Sequence, residues 1–216
     1  MKNLLAELSD KQQIIWDWNG TLLADVEHNV RTMNVLLESA SLQPITVEHH
    51  REHFQFPVIE YYRKLGFDTS PDVFQTLCDD FSTRYYDGMR QCELVADVRE
   101  VLESLSALGK TQCVLSASRQ EDLVDALGHF GLSDIFQYVF GIEDNMATSK
   151  PERGRDMLTL SKISLDDTVL IGDTDHDLEV GKALGIDVIL VDHGHQSFER
   201  LSAKHDRVIR SVPQPT

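Results

Sequence analysis

Asp17 closes the apolar run Ile14-Ile15-Trp16 and leads straight into Trp18-Asn19-Gly20-Thr21. A carboxylate at the end of such a run, followed by a Gly-Thr turn, suits a ligand site. Glycine lets the backbone come close to a ligand, and the exposed N–H groups of the turn favour an anion, so Gly20 and Thr21 are phosphate-binding candidates. A second acidic stretch, Gly172-Asp173-Thr174-Asp175-His176-Asp177, follows the apolar run 168–171. Asp173 stands at the strand end and Asp177 about one helical turn later. With Asp17 they make an oxygen-rich, negatively charged set that suits a hard cation such as Mg²⁺. Carboxylates crowded in this way raise each other's pKa unless a cation neutralises them. Asp175 reads differently, as a solvated acid at a helix start, where the dipole favours it.

Two weaker signals lie between these stretches. Ser116, followed by Ala117 and Ser118, ends the run 112–115, and Lys150 sits in Thr148-Ser149-Lys150-Pro151. A serine there is commonly a helix cap, and a lone lysine is commonly solvated. Their order with Asp17 and Asp173, three of the four at strand ends, makes them a set.

Short β-rich runs position these residues: 13–16, 112–115, 138–140, 168–171, 187–191 and 207–209. Continuous apolar runs of this length fit strands buried on both faces, as in a parallel sheet. Helical periodicity occupies 98–108, 121–130 and 178–184, each stopped by a glycine. The alternation indicates a doubly wound, Rossmann-like α/β core with a mostly parallel sheet, in which ligands bind beyond the carboxyl ends of the strands. Between 25 and 94 helical stretches dominate instead, at 26–40, 58–65 and 72–89, with breaks at 42–46 and 66–71. The expected organisation is a core of residues 1–24 and 95–216 carrying an α-helical cap, 25–94, able to close over the site.

The chain holds 36 acidic and 20 basic residues, a formal net charge of −16. Such a protein repels polyanions, which argues against nucleic acid or an anionic membrane as partner. Phosphate handling would then need local cations, from a metal or a placed lysine. Three scattered cysteines without a CxxC pair fit neither a disulfide framework nor a zinc site, so a reducing cytoplasm is expected. The first residues do not read as a signal peptide, and no apolar run approaches the roughly 20 residues of a membrane span. Monomer and homodimer both remain open.

The four stretches together resemble the haloacid dehalogenase superfamily, in the subclass of phosphoglycolate phosphatases and β-phosphoglucomutases. DWNGTLL is similar to its first motif, VLSAS to its second, Lys150-Pro151 to its third and GDTDHD to its fourth, and the helical insertion falls where that subclass carries its cap. The resemblance implies a Mg²⁺-dependent phosphohydrolase acting on a small phosphorylated metabolite. Asp17 would be the nucleophile that becomes an aspartyl-phosphate. Asp17, the Asn19 carbonyl and Asp173 would hold Mg²⁺, with Asp177 in support. Ser116 and the Ala117 N–H would hold phosphoryl oxygens, and Lys150 would offset charge.

One position departs from the family pattern. Family phosphatases carry an aspartate two residues after the nucleophile as acid and base; here it is Asn19, which cannot shuttle a proton. Losing such help typically costs 10²–10⁴-fold. Slow turnover, a good leaving group, or a proton from His53 or Glu60 would each accommodate the change. On this reading Asn19→Asp raises turnover of an alkyl phosphate. Two other functions compete: a non-catalytic phosphometabolite-binding protein, and a haloacid dehalogenase that needs no metal.

The stretch 53–62 is similar to the cap segment that faces the site in relatives, making Arg51, Gln55 and Tyr61 substrate-contact candidates. His193-Gly194-His195 reads as a loop with exposed histidines, because no third ligand of matching spacing accompanies it. Cys113, inside a buried strand, reads as core.

Overall fold

In the computed structural model, residues 4–142 and 150–210 are described. The strand runs become β1 (Gln13–Trp16), β4 (Thr111–Arg119), β5 (Tyr138–Ile142), β6 (Thr168–Gly172), β7 (Asp187–Val191) and β8 (Val208–Ile209). They form one sheet in the order β5-β4-β1-β6-β7-β8, every pairing parallel. β1 and β6 are buried along their whole length, which is why their residues read as unbroken apolar runs.

Alternation along the strands splits the core in two. Ile14 and Trp16 pack on one face with Leu102 of α6 (Val98–Ala107) and Leu123 of α7 (Gln120–His129). Ile15 and Leu170 pack on the other with Met157 of α8 (Lys150–Ser161) and Val180 of α9 (Asp175–Leu184). The sheet is therefore covered by helices on both faces, the doubly wound arrangement. Cys113 is wholly buried in β4. From β1 the chain goes out to β4 and β5 and then returns to β6 on the other side. The carboxyl ends of β1, β4 and β6 thus border the crevice where such sheets bind ligands.

Helices α2 (Val26–Ser39), α3 (Val47–His53), α4 (Val58–Lys64) and α5 (Pro71–Met89) follow β1. Of these, α2, α4 and α5 share a hydrophobic cluster of their own, with Met33, Leu37, Tyr61, Tyr62, Phe74 and Cys78 at its centre. A two-stranded antiparallel ribbon, β2 (Leu23–Ala24) with β3 (Glu93–Leu94), joins the entry and exit of this helical stretch. Strands of two residues carry no periodicity, so the ribbon leaves no signal in the sequence. The same holds for α3, Val-Glu-His-His-Arg-Glu-His, which has one apolar residue and is held by a Thr46 cap accepting from the His49 N–H. A short α1 (Leu4–Glu7) precedes the sheet and α10 (Phe198–Ser202) precedes β8.

Candidate active site

Asp17, Asp173 and Asp177 meet at the carboxyl ends of β1 and β6, with carboxylate oxygens all within 4.8 Å of one another. All three are buried. Lys150, at the start of α8 and also buried, reaches between two of them: its Nζ lies 2.6 Å from Asp17 Oδ1 and 2.7 Å from Asp177 Oδ1. Thr148 and Ser149 lie outside the described residues.

Each carboxylate is oriented by its own local structure. Asp177 is the N3 residue of α9, and its Oδ2 accepts from the Thr174 hydroxyl at 2.7 Å and the Thr174 N–H at 3.1 Å, a capping box. Asp173 accepts from the Thr21 hydroxyl at 2.8 Å and the His195 N–H at 2.6 Å. Gly20, at φ +73°, and Gly194 both press on Asp173. A Cβ at either position would fall 2.3 Å and 2.1 Å from its Oδ2, so only glycine fits. Asp175 stands apart from the cluster. It is half-buried rather than freely solvated, paired with Lys204 and with the Gln196 amide.

Three negative charges against one ammonium leave the cluster out of balance. Burial, with Asp177 and Asp173 beside it, pushes the Asp17 carboxyl up to about 8 although Lys150 opposes this. Burial likewise raises Asp173 to about 6, whereas burial at Asp177 is outweighed by Lys150, which holds it below the usual carboxylate range. A divalent cation would bring three carboxylates and one lysine to neutrality, so the donor set fits one.

Asn19 is turned into a separate polar network. Its Nδ2 donates to Asp25 Oδ2 at 3.1 Å and to the Tyr85 hydroxyl at 2.7 Å, and its Oδ1 accepts from the Ser118 hydroxyl at 2.7 Å. Asp25 is wholly buried and also accepts from the Gly20 N–H at 2.7 Å and from Tyr85. His195 Nε2 stands 3.4 Å from its Oδ1. Burial alone would raise the Asp25 pKa, but His195, Tyr85 and Asn19 outweigh it and hold it low. For His195 burial opposes the charged form, yet Asp25 and Asp173 prevail and lift it to about 9.

His195 therefore corrects the expectation of an exposed histidine loop: only 4% of it is accessible. Its Nδ1 lies 2.9 Å from His50 Nε2, and His50 Nδ1 lies 2.8 Å from the Tyr61 hydroxyl, a chain that ties α3 and α4 to the core. Arg51 joins the same tie. Its Nε donates to the Gly194 carbonyl at 2.9 Å and its Nη2 to the His193 carbonyl at 2.8 Å, so its guanidinium clasps the core loop. Gln55 pairs with Lys64 at the surface.

A cavity of about 190 Å³ opens between the helical insertion and the strand ends. Asp17, Asn19, Ala117, Lys150, Asp173 and Asp177 line its floor, and Tyr61 lines its wall. Arg51, Gln55, His53 and Glu60 do not line it; His53 bonds the His49 carbonyl, and Glu60 pairs with Arg63. Ser116 is buried beside the floor, its Oγ accepting from the Ser118 N–H at 3.0 Å. β4 runs on to Arg119 through a register shift after Leu115, which brings Ser118 to the cavity. Asp25, Tyr85, Ser118 and His195 are lining residues to which the sequence reading assigns no role in the site. The acidity of Asp25, the place of Ser118 in VLSAS and the His193-Gly194-His195 run are the signals that could have found three of them.

The doubly wound parallel sheet thus presents a carboxylate trio and a lysine together at its strand ends. Residues 14–191 match the family of haloacid dehalogenase-like hydrolases, and the chain belongs to it. A pyrophosphatase PpaX from Listeria monocytogenes is 24% identical over 175 residues, covering 78% of this chain and 77% of its own. A phosphoglycolate phosphatase from Colwellia psychrerythraea is 23% identical over 206 residues, 91% of each chain. Among solved structures, a haloacid dehalogenase-like family hydrolase from Streptococcus pneumoniae superposes with a TM-score of 0.79 at 15% identity, covering 94% of this chain and 95% of that one. Relatives named for pyrophosphate and phosphate-ester hydrolysis thus cover 78% and 91% of the chain. No described helix is long and apolar enough to cross a membrane.

Proposed function

We propose that this chain is a Mg²⁺-dependent phosphatase that hydrolyses a small phosphorylated metabolite through an aspartyl-phosphate on Asp17. The observation that carries this reading is the buried trio Asp17, Asp173 and Asp177, bridged by Lys150 and facing a cavity. Asp17, the Asn19 carbonyl and Asp173 would hold the cation, with Asp177 steadying it and Lys150. When bound, Mg²⁺ supplies positive charge against the phosphoryl oxygens.

The remaining work falls to the chain's own residues. Lys150 holds Asp17 through Oδ1 and offsets the repulsion between carboxylate and phosphate. An Asp17 oxygen bonds phosphorus while the ester P–O bond breaks, its electron pair leaving with the departing oxygen. Water then bonds phosphorus, the Asp17–phosphorus link breaks, and phosphate departs. Ser116 and the Ala117 N–H are the proposed holders of the phosphoryl oxygens, with Gly20 and Thr21 shaping the turn beneath. The helical stretch 25–94 is the proposed cap over the core of 1–24 and 95–216, and Tyr61 its proposed contact with substrate. Arg51 and Gln55 stand better as cap-positioning and surface residues than as substrate contacts, given the partners they already hold.

A Mg²⁺-dependent screen for phosphate release from phosphorylated metabolites tests this, with Asp17→Asn as the blank. Release that persists in the blank, or in excess chelator, would refute it. A non-catalytic phospholigand binder, the alternative suggested by Asn19, would instead bind without any release across the panel.

A further inference from the structure

Resting on that phosphatase reading, we infer the substrate class: a phosphate ester of an uncharged aromatic group, an aryl phosphate, rather than one whose leaving group carries a second anion. The walls of the cavity above Asp17 and Lys150 include Met33, Phe54, Phe56, Tyr62, Phe81 and Tyr86. Phe81 stacks on Tyr85 with ring centroids 5.8 Å apart and an interplanar angle of 15°, and Phe54 and Phe56 meet edge-on at 5.4 Å. Phe56 in turn stacks on His176 at 4.3 Å, with an interplanar angle of 26°. Flat rings arranged this way accept another ring by stacking and edge contacts, and desolvation of an apolar body drives its entry.

Charge in the same cavity excludes a second anion on the substrate. Besides Lys150, the cationic side chains that line it among the described residues are Arg119 and His195. Lys150 is spent on Asp17 and Asp177, Arg119 pairs with Asp122, and His195 faces Asp25. A carboxylate or second phosphate on the leaving group would be buried against aromatic rings, with Arg119, already paired with Asp122, as its one candidate counter-ion among the described residues.

Leaving-group chemistry points the same way from a separate observation. Asp17 and Asp177 are engaged by Lys150, Asp173 by Thr21 and His195, and Asp25 by four donors. Asn19 has no proton to give as an acid. With no lining carboxyl among the described residues at liberty to protonate the departing oxygen, the site favours a group that leaves as a stable anion, as a phenolate does.

Binding of phenylphosphonate and of phosphonoacetate, measured calorimetrically with Mg²⁺ present, tests the inference without requiring turnover. Phenylphosphonate is expected to bind at least about tenfold tighter, an energy near 1.4 kcal/mol. Equal affinities, tighter phosphonoacetate, or no phenylphosphonate binding at millimolar concentration would overturn it. Phe81→Ser should weaken phenylphosphonate about tenfold and leave phosphonoacetate within about twofold; Met33→Ser serves as the second arm should that variant fail to fold. Phosphate release from phenyl phosphate, measured in parallel, reports on the reaction. Its absence alongside selective phenylphosphonate binding would count against the phosphatase reading and for the pocket.

Discussion

The side-chain amide of Asn19 donates to the buried carboxylate of Asp25 across 3.1 Å. Asparagine at this position therefore has a structural partner, six residues ahead at the entry to α2, and Tyr85 and Ser118 hold the pair from either side. That contact changes what substitution should do.

An aspartate at position 19 would set two buried carboxylates side by side, forcing one to take a proton. Asn19→Asp is therefore expected to lose about 1–3 kcal/mol of stability and to gain no turnover, contrary to the expectation from motif comparison alone. Exchanging the pair, Asn19→Asp with Asp25→Asn, should recover most of the loss, because one amide again faces one carboxylate. Thermal melts and phosphate release decide it. A single variant as stable as the parent and faster would show that the pairing is unimportant.

Lys150 neutralises two buried carboxylates at once. Lys150→Ala should abolish phosphate release and cost about 3–5 kcal/mol in the absence of metal, since both partners are left uncompensated. Added Mg²⁺ should restore part of that stability, because it binds the folded form alone. A Lys150→Ala protein whose melting is indifferent to Mg²⁺ would contradict the assignment of the carboxylates as a cation site.

Protons compete with the cation for the same oxygens. The Asp17 and Asp173 pKa values are raised, to about 8 and about 6, so both carboxyls carry protons increasingly as pH falls below those values. Apparent Mg²⁺ affinity should accordingly climb from pH 5 to pH 8, by up to about tenfold per unit for each proton displaced, and level off above. Titration calorimetry in two buffers of different ionisation enthalpy counts the protons released. Affinity that is flat over this range would exclude the raised values.

Arg51 clasps two carbonyls of the 193–194 loop, while Arg200 supports α3 from the other side through the Arg51 and Phe54 carbonyls. Arg51→Ala should lower stability by about 1.5–3 kcal/mol, at about 2–4 °C of Tm per kcal/mol, without changing the rank order of substrates. A changed substrate preference with unchanged Tm would return Arg51 to the substrate-contact role.

The strands that carry Asp17 and Asp173 were legible in the sequence because burial on both faces writes itself as unbroken apolar residues, as in Ile14-Ile15-Trp16 and Val169-Leu170-Ile171. Gly20 and the Thr174–Asp177 capping box are equally local, set by backbone conformation and by hydrogen bonds within one turn. Residues that act through distant partners left no such trace. His50 meets His195 across 145 positions, and Ser118 reaches Asn19 across 99. Neither pairing follows from periodicity or spacing: the first exists only once the helical insertion is folded back onto the strand ends, the second only once β1 and β4 lie side by side. The aromatic character of the cavity belongs to the same class: Phe54 and Phe81 lie on separate segments, and packing alone decides that they share one wall.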